Sequence, residues 1–147
     1  MNILSIDPAS TTGWAMSNEI YGTWDLKTLK DESIGMKLVR LRSKLNEVHK
    51  LSKLDLIVYE RPAGVHKNPI IHQAKLIAII ETWCDDNGVE YRAYSSKEIK
   101  KFATGNGNCG KPAMIKAAKE KLAYVGNDDN ETDALWLLNL VKTQLNI

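Results

Sequence analysis

Four acidic residues stand where a carboxylate is conspicuous. Asp7 closes the apolar run Asn2–Ile6 and precedes Pro8, and Glu60 closes the run Leu54–Tyr59 and precedes Arg61-Pro62. Asp133 adjoins the apolar stretch Ala134–Leu140, with Asp129 four residues and Asn130 three residues before it, on the same helical face. Each has an ordinary reading: Asp7 as a turn former, Glu60 as a partner of Arg61, Asp129 as a charge suited to a helix N-terminus. Gathered together, carboxylates repel and call for a counter-cation. Oxygen-only ligands select hard ions such as Mg²⁺, Mn²⁺ or Ca²⁺, and no histidine or cysteine pairing here suggests zinc. Two such ions about 3.5–4 Å apart can activate a water and stabilise the leaving oxygen of a phosphodiester.

The charge distribution supports a polyanion as the substrate. The net charge of +2 conceals a segment from Arg92 to Lys121 with eight basic residues (Arg92, Lys97, Lys100, Lys101, Lys111, Lys116, Lys119, Lys121) and only Glu98 and Glu120 against them. A segregated basic stretch is the electrostatic footprint of phosphate-backbone binding, although a solvated helix face has the same composition.

The elements that must position these residues follow from patterning. Asn2–Ile6 reads as a strand stopped at Asp7-Pro8, and Thr11–Met16 and Ile20–Leu26 as a β-hairpin turning at Ser17-Asn18-Glu19. Ile34, Leu38, Leu41, Leu45 and Val48 form one face of an amphipathic helix, with Lys37, Arg40, Arg42 and Lys44 elsewhere around it. Leu54–Glu60 is a strand covered on both faces. Pro69 opens a helix to about Asp86, so apolar from Ala74 to Trp83 that it is buried or packs against a partner. Val89–Tyr94 is a further strand, and Ser95 or Ser96 caps a helix over Lys97–Phe102. Lys111 or Pro112 opens a helix to about Tyr124, and Asp128 with Glu131 resembles a capping box for a last helix to about Leu145. Three strands in a meander, then strands alternating with helices, predict an α/β protein with a mixed five-stranded sheet flanked by helices, in the order of the ribonuclease H-like fold.

At these residues the chain resembles the RuvC-type Holliday junction resolvases, in particular small phage-like members. Ile6-Asp7-Pro8-Ala9-Ser10, followed by Thr12-Gly13 and Trp14, is similar to the family's first-strand motif, and Val58-Tyr59-Glu60-Arg61-Pro62 to its second acidic motif. Glu98 to Gly107 with Lys111 resembles its V-K-x-x-x-T-G-x-G…K segment, and Thr132-Asp133-Ala134-Leu135 its closing A-D-A-L. The four motifs occur in order from residue 3 to about residue 140. The resemblance implies a metal-dependent endonuclease, acting as a homodimer, that nicks two opposed strands of a four-way junction symmetrically. It makes Asp7, Glu60 and Asp133 metal ligands for Mg²⁺, with Mn²⁺ as a substitute and two ions per site. Lys100 and Lys111 would contact or neutralise the scissile phosphate region.

Three departures from the family pattern bear on function. Asn130 stands where the family often has Asp or His; its amide oxygen can coordinate without adding charge, and Asp129 is the preferred fourth ligand. Ala9 replaces a glycine after Pro8. Ala63 replaces an aromatic wedge, leaving Val65, His66 and Lys67 of the loop Ala63–Pro69 to meet DNA there, beside Lys97, Lys101 and Lys116 of the basic segment.

Composition bounds the remaining possibilities. With 147 residues and 44% hydrophobic content, one domain spanning 1–147 is expected, which the resemblance makes a RuvC-like nuclease domain. No apolar run spans a bilayer, the first ten residues lack signal-peptide character, and Cys84 and Cys109 read as free thiols, which together predict a cytoplasmic protein with no organic cofactor. The first-strand motif also resembles the phosphate-binding strand of sugar kinase and actin ATPases, which need a second lobe that this length excludes. A broader branched-DNA or ribonuclease H-like nuclease, or a branched-DNA-binding protein impaired in cleavage by Asn130, remains as an alternative. The four tryptophans, Trp14, Trp24, Trp83 and Trp136, are assigned to the core or to a dimer contact.

Overall fold

The computed structural model describes residues 1–62 and 67–147, except for the side chains of Lys67 and Asn68. Its elements run β1 (Ile3–Asp7), β2 (Thr11–Met16), β3 (Tyr21–Asp25), α1 (Met36–Leu51), β4 (Leu56–Glu60), α2 (Lys67–Asn87), β5 (Glu90–Tyr94), α3 (Ser96–Thr104), α4 (Lys111–Lys121) and α5 (Asp129–Gln144). The five strands form one sheet in the order β3-β2-β1-β4-β5, with β1–β2 and β2–β3 antiparallel and β1–β4 and β4–β5 parallel. This is the mixed α/β architecture that the sequence predicts.

Strand alternation divides the core in two. Leu4, Ile6, Ile57 and Tyr59 face α1 and α2, where they meet Leu41, Leu45, Leu76, Ile80 and Trp83. Ile3, Leu56, Val58 and Tyr94 face the other way, against Ile99 of α3, Met114 of α4 and Leu137 of α5. Ser5 lies on this second face and donates its hydroxyl to the Ala134 carbonyl at 2.8 Å, tying the middle of β1 to α5. Trp24, Trp83 and Trp136 are buried, and Trp14 stacks on Trp24 with ring centroids 5.7 Å apart.

Three local expectations change. The apolar stripe of α1 does not include Ile34, which precedes the helix and is 71% exposed. Lys37, expected on the outer surface, is instead buried with Leu41 and Leu45, because i, i+4 and i+8 share the inward face and its ammonium finds polar partners there. The capping box of α5 is half formed. Asp128 accepts from the Asn130 and Glu131 amides, but the Tyr124 hydroxyl intervenes on the return side, accepting from Asp128 N–H at 3.0 Å and donating to Glu131 at 2.8 Å. The predicted cap of α3 is resolved in favour of Ser95, which forms a full capping box with Glu98.

Candidate metal centre

β1 and β4 are parallel neighbours paired Ile6 with Tyr59, so the next residues, Asp7 and Glu60, emerge side by side at the C-terminal edge of the sheet. This is the edge where open α/β sheets bind ligands. Both side chains point to the α5 face, and α5 crosses that face so that Asp133, one turn from its start, completes the group. One oxygen from each of Asp7, Glu60 and Asp133 lies within 4.8 Å of the others.

The close approach of α5 depends on Gly13. A Cβ built there would stand 1.9 Å from the Asn130 carbonyl oxygen and 2.3 Å from its carbon. Only a residue without a side chain lets the first turn of α5 settle on β2. The sequence shows Gly13 within a motif, but its role as the seat of Asp133's helix depends on a contact between distant segments.

The electrostatics are those of an uncompensated cluster. Asp7 is 8% exposed, and its carboxyl is held well above the usual carboxylate range by burial, then by the charges of Glu60 and Asp133, with a hydrogen bond to Glu60 adding to the shift. Asp133 is pushed up to about 7 by burial, Glu60 and Asp129, with Lys100 and Lys111 opposing. Among the described residues no lysine or arginine forms an ion pair with any of the three. A buried acidic group with no cationic side chain in contact and only oxygen donors fits a hard divalent cation.

The other expected residues fall around this group. Asp129 lies outside the 4.8 Å set, and its carboxylate meets Lys111 Nζ at 3.1 Å, which raises the lysine's pKa. Asn130 sits in the same first turn, its amide held by Asp128 and its carbonyl over Gly13. Lys111 opens α4, whose N-cap, Gly110, supplies no side-chain hydrogen bond, leaving first-turn N–H groups available for an anion. Lys97 and Lys101 are exposed on α3, Lys100 is half-buried on the same helix, and Lys116 is exposed on α4. None of these four side chains makes a hydrogen bond or ion pair among the described residues. By contrast, Arg92 pairs with Glu90, Lys119 bonds Asn127, and Lys121 bonds the Ala103 carbonyl, so these members of the basic segment serve the structure. Ala63, Val65 and His66 lie outside the described residues, as does the side chain of Lys67.

The chain overlays the Thermus thermophilus RuvC structure with a TM-score of 0.77, covering 99% of this chain and 97% of that one at 16% identity. The fold is that of RuvC. A second solved structure, T. thermophilus RuvC in complex with Holliday junction substrate, matches with a TM-score of 0.76 over 93% of this chain and 90% of that one at 18% identity. No family model matches the sequence, and no curated protein matches it. The RuvC-like fold thus rests on shape and topology, and the assembly of Asp7, Glu60 and Asp133 on this chain's own geometry. Among the described residues no helix is long and apolar enough to cross a membrane.

Proposed function

We propose that the 147 residues form a single-domain, metal-dependent endonuclease that resolves four-way DNA junctions by paired, symmetric nicking. The observation that carries this reading is the convergence of three carboxylates from β1, β4 and α5 within 4.8 Å. The fold shared with a protein solved on a Holliday junction supports branched DNA as the substrate class.

Asp7, Glu60 and Asp133 would hold the metal, Mg²⁺ or Mn²⁺, with two ions per site as in the two-metal mechanism. When bound, the metal supplies an activated water and charge stabilisation at the leaving oxygen. Asp129 orients Lys111 through their 3.1 Å contact, and Lys111 with Lys100 offsets the negative charge of the scissile phosphate. Asn130 or Asp129 contributes a further oxygen to the metal. Lys97, Lys101 and Lys116, with His66, which lies outside the described residues, and Lys67 at the start of α2, track the flanking backbone. Symmetric cleavage needs two copies of the site. The outer side of α2, where Ile71 is 52% exposed beside Ala74 and Ala78, is the surface assigned to the homodimer, in a cytoplasmic setting.

The deciding experiment compares nicking of a synthetic mobile junction with linear duplex, flap and RNA–DNA hybrid, in Mg²⁺ and in Mn²⁺. Paired nicks on the junction alone are expected; equal cutting of flaps or hybrids would replace the reading with a broader nuclease. Asp7→Asn should abolish nicking while preserving junction binding. Wild-type protein that binds junctions but nicks them with neither metal would make it a branched-DNA-binding protein instead.

A further inference from the structure

On the opposite face of the sheet, at the same edge as the carboxylates, a lysine is buried without an acid. Lys37, in the first turn of α1, is 8% exposed. Its ammonium donates to Ser10 Oγ at 2.8 Å and contacts His72 Nε2 on α2. No carboxylate pairs with it among the described residues. An ammonium has three donors, and these contacts use two. With Lys37 as an ammonium, which only donates, His72 meets it through an accepting Nε2 of a neutral ring. Burial and the charges of Lys37 and Lys75 lower the His72 pKa and favour the neutral ring. Lysine is almost never buried unpaired, because taking its charge out of water is unfavourable. A bound anion would offset that cost.

The surroundings are built for one. Lys37, His72 and Lys75 line a cavity of about 390 Å³, and beyond His72 a second, of about 350 Å³, is lined by Ser10 and Gln73. Neither wall carries an acidic residue. The loop that presents Ser10 is fixed, since Thr12 Oγ1 donates to the Ala9 carbonyl at 2.6 Å and Gln73 reaches the Pro8 carbonyl at 3.5 Å. Ser10 follows Asp7 by three residues, a span of at most about 11 Å of chain. A DNA strand carries one phosphate per roughly 3.4 Å of helix axis, and its helical path sets them farther apart through space, so this reach covers at most about three nucleotides.

We infer that Lys37, Ser10, His72 and Lys75 form a second phosphate site, which grips a non-scissile backbone phosphate within a few nucleotides of the one at Asp7. This rests on the nuclease reading and adds to it a contact on the face away from the metal. Inorganic phosphate shares the chemistry and serves as the control ligand.

The test places single methylphosphonates at the phosphates flanking the wild-type nick and measures junction binding by anisotropy in Ca²⁺. One position should weaken wild-type binding, and Lys37→Met should lose about as much, roughly tenfold, with a salt slope lower by about 0.9. At that position the variant should lose nothing further from the methylphosphonate. Lys75→Ala, at an exposed site, should show a smaller loss with the same coupling, and it carries the test should Lys37→Met fail to fold. Additive losses at every position, or wild-type affinity and slope in both variants, would overturn the site. A His72 NMR shift with millimolar inorganic phosphate, without coupling to any DNA position, would overturn it in favour of a free anion. Wild-type protein that neither binds nor nicks a junction would sink the nuclease reading itself. Nicking by wild type with both variants unimpaired would sink only this site.

Discussion

Asp133→Asn should make the metal-free protein more stable, and by an amount that grows with pH. In the native state the Asp133 carboxyl is raised from 3.8 to about 7, chiefly by burial and then by Glu60 and Asp129. Between those values the folded protein binds more protons than the unfolded chain. Stability contributed by this group is therefore fully present below about pH 4 and is lost as pH rises through 7. Three units correspond to about 4 kcal/mol as a ceiling, and partial solvent access reduces this to about 2–4 kcal/mol. In a chain of this size that is roughly 5–15 °C in Tm. The amide is nearly isosteric with the protonated acid, so the gap between wild type and variant in EDTA should be smallest at pH 4.5, about 1 kcal/mol or less. By pH 8 the variant should melt higher by the full margin. Comparing the two proteins at each pH cancels the titration of carboxylates held low elsewhere, such as Glu32 and Glu98. Saturating Mg²⁺ at pH 8 should stabilise wild type, narrowing the gap, and leave the variant nearly unmoved. Calorimetry from pH 4.5 to 8, with and without Mg²⁺, measures all of this. A gap that is constant with pH, or a Mg²⁺ response equal in both proteins, would refute the reasoning that three acids share one site under mutual repulsion.

Other perturbations probe the scaffold and the DNA face separately. Gly13→Ala should cost about 3 kcal/mol or more, because backbone at 1.9 Å has to move, and it should also abolish Mg²⁺-induced stabilisation by shifting α5; both are read from thermal melts. Tyr124→Phe leaves the Asp128 amide and Glu131 without their shared hydroxyl and should destabilise by about 1–2 kcal/mol in urea unfolding. Lys116→Ala, at an exposed site far from the carboxylates in sequence, should weaken binding to all DNA substrates alike and lower the salt slope by about 0.9, measured by anisotropy against salt concentration.

What the sequence disclosed and what it concealed divide along a physical line. Asp7 and Glu60 were legible because a charge that ends an apolar strand contradicts its local environment, and parallel pairing of β1 with β4 needed only the strand order. Asp133 was legible for the same reason on a helix. Lys37 was not, since a lysine between apolar helix positions ordinarily lies at the surface, and its partners Ser10 and His72 are 27 and 35 residues away. Gly13 was visible as a residue but not as a constraint, because its meaning is a contact with a helix at the other end of the chain. The charge of the Arg92–Lys121 segment is not all free of internal partners: Arg92, Lys119 and Lys121 are engaged within the fold, and Lys111 with Asp129. Composition counts charges, but only packing decides which of them still seek a partner. Lys97, Lys100, Lys101 and Lys116 on α3 and α4, and Lys37 on the other face of the sheet, retain donors without an acidic partner among the described residues. Lys100, whose charge acts on Asp133, and Lys37, bonded to Ser10 three residues after Asp7, therefore place cations on both faces of the sheet beside the three carboxylates.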